Sequence, residues 1–148
     1  MTTARGYVAG NDRERARLVA LVARCTDADL AHPMPGGWTV AGVLAHAAFW
    51  DQRILVLVEQ WEKGIAPREE LPADVTWIND SVKPLLLALP PRKAAEIAVA
   101  IAEAVDARVA ALSADIIAKN EATPLLNWSR ADHRGEHLDE IEHALGLR

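Results

Sequence analysis

Apolar residues recur along this chain at the spacing of an α-helix. Leu18, Leu21, Val22 and Cys25, for example, stand at positions i, i+3, i+4 and i+7, so they share one face of a helix. No stretch shows the strict alternation of apolar and polar residues that is typical of a half-buried strand. The pattern predicts five helical segments, at residues 12–25, 39–64, 74–89, 91–118 and 129–145.

Capping residues and prolines set the predicted boundaries of these helices. Asn11 is a predicted N-cap for the first helix, and Thr39 is one for the second. Pro84 falls inside the third segment, where a proline removes a backbone hydrogen bond, so we expect a kink or a break there. Ser129 and Asn127 are rival N-caps for the last helix.

The helical segments together predict an all-α fold. Four long helices with short connectors, plus one kinked extra segment at 74–89, are typical of a four-helix bundle. A chain of 148 residues is expected to form one domain, here residues 1–148. Bundles build metal and cofactor sites from side chains on facing helices, so polar residues on the inward faces are candidate site residues.

Charge and composition argue against several classes of partner and location. The formal net charge is −5 and basic residues are scattered, so neither nucleic acid nor an anionic membrane is expected as a partner. No run of about 18 consecutive apolar residues predicts a membrane span, and the first residues lack the apolar segment of a signal peptide. The single cysteine, Cys25, cannot form an internal disulfide, which fits a reducing, cytoplasmic location.

Two histidines stand one turn apart in the last predicted helix. At about 100° per residue, His133 and His137 lie about 40° apart on the helix surface, at the edge of its apolar stripe. Their nitrogens could converge on one cation. Hydrogen bonds to neighbouring groups could equally satisfy both rings. The spacing alone leaves a metal site and a structural pair as even alternatives.

A third histidine favours the metal site. His46 lies in the most apolar part of the second helix, between Ala45 and Ala47. A buried imidazole costs free energy unless a partner satisfies it, and a metal ion would do so. The small neighbours also leave room for a substrate. His32, in a proline-rich loop, and His143, on the outer face of the last helix, are expected to be solvated surface residues.

The stretch HRGEH, residues 133–137, has the His-x-x-Glu-His pattern of inverted zinc proteases. Such proteases take a third ligand well downstream, but only eleven residues follow His137 in this sequence. Glu136 also points about 60–100° away from the two histidines on the helix surface, which suits a solvated carboxylate. The protease interpretation is therefore disfavoured. A third protein ligand has to lie upstream, and His46 is the best candidate.

Several motifs resemble those of the DinB superfamily, which comprises YfiT-like metal-dependent proteins. They are GWTV at 37–40, LAHA at 44–47, WD at 50–51 and DHRGEHLDEI at 132–141. The resemblance spans nearly the whole chain in helix order. It implies a four-helix bundle, often a homodimer, that holds a divalent metal ion, nickel or zinc, on His46, His133 and His137.

Members of this superfamily suggest a kind of chemistry. The mycothiol-dependent maleylpyruvate isomerase has an N-terminal domain of this kind, and other members look like thiol S-transferases. A further branch, resembling ClbS and DfsB, protects against a genotoxic metabolite. The resemblance therefore implies a small-molecule substrate and a low-molecular-weight thiol as a possible cosubstrate.

A metal ion on three histidines could support more than one type of reaction. Three neutral imidazoles leave the full +2 charge of a metal ion and at least one open position, which is typical of a reactive site. The ion could lower the pKa of a bound water or thiol for attack on a small electrophile, as in a hydrolase or a thiol S-transferase. The alternative function is a non-catalytic protein that binds or sequesters a metabolite or toxin in the same pocket.

Asp51 and Asn79 are weaker candidates for a role in the site, and Cys25 is considered as a nucleophile. Asp51 could orient a histidine, but a plain salt bridge with an arginine is at least an equal alternative. Asn79 could point its amide into the pocket, or it could cap a helix or face water. Cys25 is expected to be a small core residue and not a nucleophile.

Overall fold

The computed structural model describes residues 5–148, and the first four residues of the predicted domain lie outside the described residues. The described part forms seven α-helices and one short antiparallel hairpin. The helices are α1 (Tyr7–Arg24), α2 (Asp27–Leu30), α3 (Val40–Glu62), α4 (Pro72–Leu87), α5 (Pro91–Ala110), α6 (Ala114–Ala122) and α7 (Ala131–Ala144). The hairpin pairs β1 (Pro33–Met34) with β2 (Trp38–Thr39) across a 3-10 turn at Pro35–Gly37. The prediction of an all-α fold is confirmed.

Four long helices contribute to a shared core. α3 packs against α5 and α7, and α1 packs against the same two helices. Buried apolar side chains from all four fill the space between them, among them Leu18, Leu44, Ala95, Leu138 and Ile141. α4 packs against α3 outside this group.

Helix α3 begins where the sequence predicts. The Thr39 hydroxyl accepts a hydrogen bond of 3.0 Å from the Gly42 N–H, which satisfies one of the free donors at the helix start. By length and composition α3 could also cross a membrane, but 56% of the relevant window is buried inside the fold, as in the core helix of a soluble protein. Gly42 allows α4 to come close, since a Cβ at this position would lie 2.7 Å from Leu87 Cδ2.

Asn11 is not the N-cap of the first helix. α1 starts at Tyr7, and Asn11 lies inside it with 1% of its surface exposed. Its side-chain oxygen instead accepts hydrogen bonds from the N–H groups of Arg130 and Ala131, at 2.8 and 3.1 Å, while its amide donates to the Trp128 carbonyl at 2.9 Å. Asn11 therefore caps α7 from across the core.

The rival caps predicted for the last helix are also wrong. α7 begins at Ala131, two residues beyond Ser129, and no side chain of its own N-cap residue binds the helix start. The Asn127 side chain accepts a hydrogen bond from the Ser129 N–H, which shapes the preceding loop. The local sequence could not indicate the cap of α7. The N–H groups at the start of this helix are bound by Asn11, which lies more than a hundred residues upstream.

The single helix predicted over 91–118 is two helices. α5 ends at Ala110, and α6 starts after Ser113, whose hydroxyl accepts a hydrogen bond from the Ile116 N–H at 3.3 Å. The side chains of Arg5 and Tyr7 bind carbonyl groups at the end of α5, including that of Ala110. These distant donors stabilise a helix end that contains neither glycine nor proline.

Pro84 does not break α4. The helix runs unbroken from Pro72 to Leu87 with Pro84 inside it. A proline removes one helical N–H, which would have bound the Asp80 carbonyl. Both residues are on the exposed side of α4, where water can satisfy the free carbonyl. Of the two alternatives, a kink or a break, the break is therefore wrong.

A buried network of ion pairs joins the four core helices. Arg134 of α7, with 2% of its side chain exposed, donates two hydrogen bonds to Asp106 of α5, at 2.9 and 3.0 Å, and one to Asp51 of α3 at 3.0 Å. Arg130 donates to Asp51 at 2.8 Å, and Arg15 of α1 donates to Asp106 at 2.7 Å. Each buried charge has an opposite charge in contact, which offsets its loss of water.

Replacing Asn11 by alanine should lower the free energy of unfolding by about 2–4 kcal/mol, because it leaves two buried N–H groups and one carbonyl without their partner. Urea unfolding followed by circular dichroism measures the change. Asn127→Ala is the matched control, since this exposed asparagine makes one local hydrogen bond. Equal losses in the two variants would contradict the assigned cap.

Replacing Asp106 by asparagine should cost about 3–5 kcal/mol of stability, because it leaves the buried Arg130 and Arg134 to share the single carboxylate of Asp51. The same unfolding experiment measures it. The control is Asp115→Asn, which removes an exposed ion pair with Lys119 and should leave the free energy of unfolding nearly unchanged. A small effect of Asp106→Asn would mean that the network contributes little.

Candidate metal centre

The three histidines singled out by the sequence come together in the fold. His46 lies on α3, and its neighbours Ala45 and Ala47 are buried in the core. α7 buries a stripe of four residues, Ala131, Arg134, Leu138 and Ile141. His133 and His137 flank this stripe and are partly buried. The packing of α7 on α3 brings them next to His46.

The histidine nitrogens lie close enough together to bind one metal ion. One ring nitrogen from each of His46, His133 and His137 lies within 4.8 Å of the other two. The Nε2 atoms of His133 and His137 are 3.1 Å apart. The ring centroids are separated by 4.6 Å for this pair, and by 5.5 and 4.9 Å for the pairs that include His46.

Burial keeps two of these rings neutral. It lowers the pKa of His46 to about 4, and the neighbouring His137 adds to the shift. Burial likewise lowers the pKa of His133 to about 3, again with a contribution from His137. Both imidazoles are therefore uncharged at neutral pH, the state in which a ring nitrogen offers a lone pair.

Two of the three buried side-chain polar atoms that lack a hydrogen-bond partner among residues 5–148 belong to this cluster, and the third is Arg134 Nε. Among residues 5–148, the Nδ1 atoms of His46 and His133 are buried and have no hydrogen-bond partner. His137 differs, because its Nδ1 lies 3.1 Å from a carboxylate oxygen of Glu140, and a proton on Nδ1 leaves Nε2 with the lone pair. The contact with Glu140 therefore orients the His137 ring so that its Nε2 faces the other histidines.

These residues fit a divalent transition metal. In a tetrahedral site with metal–nitrogen distances of about 2.0–2.1 Å, the ligand nitrogens lie about 3.3 Å apart. The His133–His137 separation of 3.1 Å is close to this value, and small side-chain adjustments would bring His46 into range. Neutral imidazole suits zinc, nickel, copper and iron alike, so the donor set indicates a metal but does not select one.

A cavity of about 650 Å³ adjoins the cluster, with His46 and His137 in its wall. Its volume lies within the range of about 300–1,000 Å³ that is typical of small-molecule sites. Most of the surface area that lines it is apolar, and the apolar residues are Met34, Pro35, Trp38, Val43 and Ala144. The polar members are Asn79, Asp80, Lys83, Glu140 and His143.

The weaker candidates are placed differently from one another. Asp51 is 3% exposed, and within the described residues it accepts hydrogen bonds from Arg130 and Arg134. Of its two predicted roles, the structure therefore shows the salt bridge with an arginine and not the orientation of a histidine. Asn79 lines the cavity, and its side-chain oxygen accepts a hydrogen bond of 2.8 Å from Trp50 Nε1. Cys25 is buried in the core, and burial raises the pKa of its thiol, which disfavours a nucleophilic thiolate.

Sequence reasoning missed some members of the site. The spacing of His137 and Glu140, three residues apart on one helix, is readable from the sequence and could have identified Glu140. His143 is exposed as expected, yet it also lines the cavity. Lys83 could not have been found in this way, because its place depends on how α4 packs against α3. Glu136 is exposed, in line with the solvated carboxylate expected for it.

Comparison with known proteins identifies the family. The model of the DinB superfamily matches residues 11–141, which include all three histidines. No curated protein and no solved structure matches the chain.

Metal-free protein should lose stability as the pH falls from about 6.5 toward 4. Because the fold lowers the pKa values of His46 and His133, the unfolded chain takes up these protons at a higher pH than the folded chain. Each histidine then contributes up to about 1.4 kcal/mol per pH unit to the loss. Urea unfolding in the presence of a chelator, between pH 7 and pH 4, measures the slope.

Two variants separate these histidines from the carboxylates that also titrate in acid. His133→Phe removes a buried titrating ring and should reduce the slope. His32→Gln removes an exposed histidine and should leave the slope as in the wild type. Identical slopes in the two variants would show that the buried ring does not govern the pH dependence.

Proposed function

The chain belongs to the DinB superfamily, and we propose that it is a metal-dependent enzyme acting on a small electrophilic molecule. His46, His133 and His137 would hold a divalent ion, nickel or zinc. The reaction is transfer to a low-molecular-weight thiol or hydrolysis by water, which are the thiol S-transferase and hydrolase classes. The observation that carries the proposal is the convergence of three histidine nitrogens at the wall of a largely apolar cavity.

Each residue of the cluster has a part in this proposal. His46 and His133 offer lone pairs at neutral pH because burial keeps them uncharged. Glu140 orients His137 by accepting a hydrogen bond from its Nδ1–H. A divalent ion in this place supplies Lewis acidity, which lowers the pKa of a water or thiol. Apolar side chains beside the cluster lower the local dielectric constant, and this strengthens electrostatic interactions there.

The nucleophile comes from outside the chain in this proposal. Cys25 is the only cysteine, and it is buried in the hydrophobic core and is not among the cavity residues. A thiol cosubstrate or water therefore has to enter the cavity. Most of the lining is apolar, which suits a small organic electrophile as the second reactant.

The proposal extends to architecture and location. α1, α5, α3 and α7 contact one another in a closed cycle, which supports a four-helix bundle with α4 as the extra segment. A homodimer and a cytoplasmic location belong to the same proposal. The dimer is supported by apolar side chains on the outer surface, of which Val19 is 41% exposed. The single cysteine fits a reducing compartment.

Wild-type protein loaded with zinc or nickel and then desalted should retain about one ion per chain, as expected for three converging histidines. His46→Ala and His137→Ala should each weaken binding by more than about 100-fold, since even the loss of an outer partner of a ligand costs about 10–100-fold. His32→Ala, an exposed histidine, is the control and should bind as wild type does. Metal analysis and competition with a chromophoric chelator measure this.

A turnover assay with the metal-loaded protein distinguishes an enzyme from a protein that only binds its ligand. A panel of thiols and electrophiles should give product with loaded wild type, and a chelator should abolish the turnover. Tight binding of a panel compound without turnover would instead support the alternative, a protein that sequesters a metabolite or toxin. Absence of near-stoichiometric metal in wild type would overturn the proposed metal site.

A further inference from the structure

One wall of the cavity is formed by α4, which contributes two donor side chains. Asn79 and Lys83 are four residues apart on this helix, so their side chains are neighbours on one face. Both line the same cavity as His46 and His137. The cavity therefore has a metal-binding wall and a second polar wall.

Among the residues that the structure describes, no carboxylate forms an ion pair with the ammonium group of Lys83. The lysines found in ion pairs among residues 5–148 are Lys93 and Lys119, and Lys83 is in none. Its ammonium group donates to the Gly36 carbonyl and lies 4.9 Å from the centroid of the Trp38 ring. These contacts hold the ammonium in place but do not neutralise it, and two of its three N–H donors are left for a ligand.

Asn79 has a fixed orientation. Its Oδ1 accepts a hydrogen bond of 2.8 Å from Trp50 Nε1. An indole N–H can only donate, so the amide oxygen has to face Trp50. The Nδ2 group, which carries two donors, is then the free end of the side chain. Asn79 and Lys83 thus offer donors from adjacent turns of one helix.

The rest of the lining restricts what can accept these hydrogen bonds. Of the two acidic residues in the cavity wall, Glu140 already contacts His137, and Asp80 is exposed to solvent. Apart from the two cluster histidines and the exposed His143, the remaining wall is apolar. A ligand that matches both the two donors on α4 and the apolar wall has a hydrocarbon body and one negatively charged group that only accepts hydrogen bonds.

We infer that Asn79 and Lys83 bind the carboxylate of a small substrate with an apolar body. A carboxylate has two acceptor oxygens, one for the ammonium and one for the amide. A neutral alcohol could accept a hydrogen bond but would supply no opposite charge, and a protonated amine would be repelled by the ammonium. The inference rests on the proposed function for the reaction and deepens it by naming the substrate class.

The test compares three probes of one shape, 4-phenylbutyrate, 4-phenylbutanol and 4-phenylbutylamine, by calorimetry on metal-free and zinc-loaded protein. Wild type should bind the carboxylate about tenfold or more tightly than the alcohol, and the amine least, since hydrogen bonds to charged groups are stronger than neutral ones. This order should hold in both forms, because the carboxylate contacts α4 and not the histidines.

Three variants locate the effect. Lys83→Met keeps the apolar stem and should remove the preference for the carboxylate. Asn79→Asp keeps an acceptor for Trp50 but replaces the donors by a negative charge, so it should weaken carboxylate binding and strengthen amine binding. Lys63→Met is the matched control, because it removes one exposed positive charge outside the cavity. Circular dichroism and the unfolding midpoint check that each variant is folded.

The outcomes separate this inference from the proposed function. Equal affinity of wild type for carboxylate and alcohol, or a preference that survives Lys83→Met, overturns the inference. Carboxylate binding that requires zinc and ignores Lys83 also overturns it, since the carboxylate then lies at the metal. A Lys83-dependent preference in a protein that binds no metal supports the inference and removes the proposed function.

Discussion

The burial of Arg134 is the constraint on which the rest of the structure depends. A guanidinium in the core loses several kcal/mol of hydration unless opposite charges and hydrogen bonds replace the water. Asp51 and Asp106 supply them from two different helices, and Arg15 completes the pairing from a third. α1, α3, α5 and α7 can therefore pack only in a register that brings these charges together.

This register also sets the candidate metal centre. Arg134 directly follows His133 and lies one turn before Leu138, so the ion pairs fix the rotation of α7 about its own axis. With Arg134 turned toward Asp51, the flanking His133 and His137 come next to α3, which carries His46 five residues before Asp51. The charge network and the histidine cluster thus share the same two helices, and the first orients the second.

Sequence patterns predicted the features that depend on local chemistry. The 3.6-residue period of apolar positions predicted the main helices, and the Thr39 cap was correct because its partner is three residues away. The three histidines could be found because their helical spacing and apolar neighbours are visible in one dimension. The role of Asn11 as a cap for α7, and the end of α5 near Arg5, could not be predicted. Both depend on contacts between residues about one hundred positions apart.

The late position of α7 in the chain has a consequence for biosynthesis. The ribosome delivers α1, α3 and α5 before α7, so Asp51 and Asp106 emerge long before the guanidinium that pairs with both of them. Until then Asp51 lacks both of its arginine partners and stays hydrated, whereas Asp106 can already pair with Arg15 of α1. The chain can close its core only when α7 arrives, and the same event assembles the histidines. No folding intermediate that forms before α7 is synthesised can therefore hold the complete histidine site.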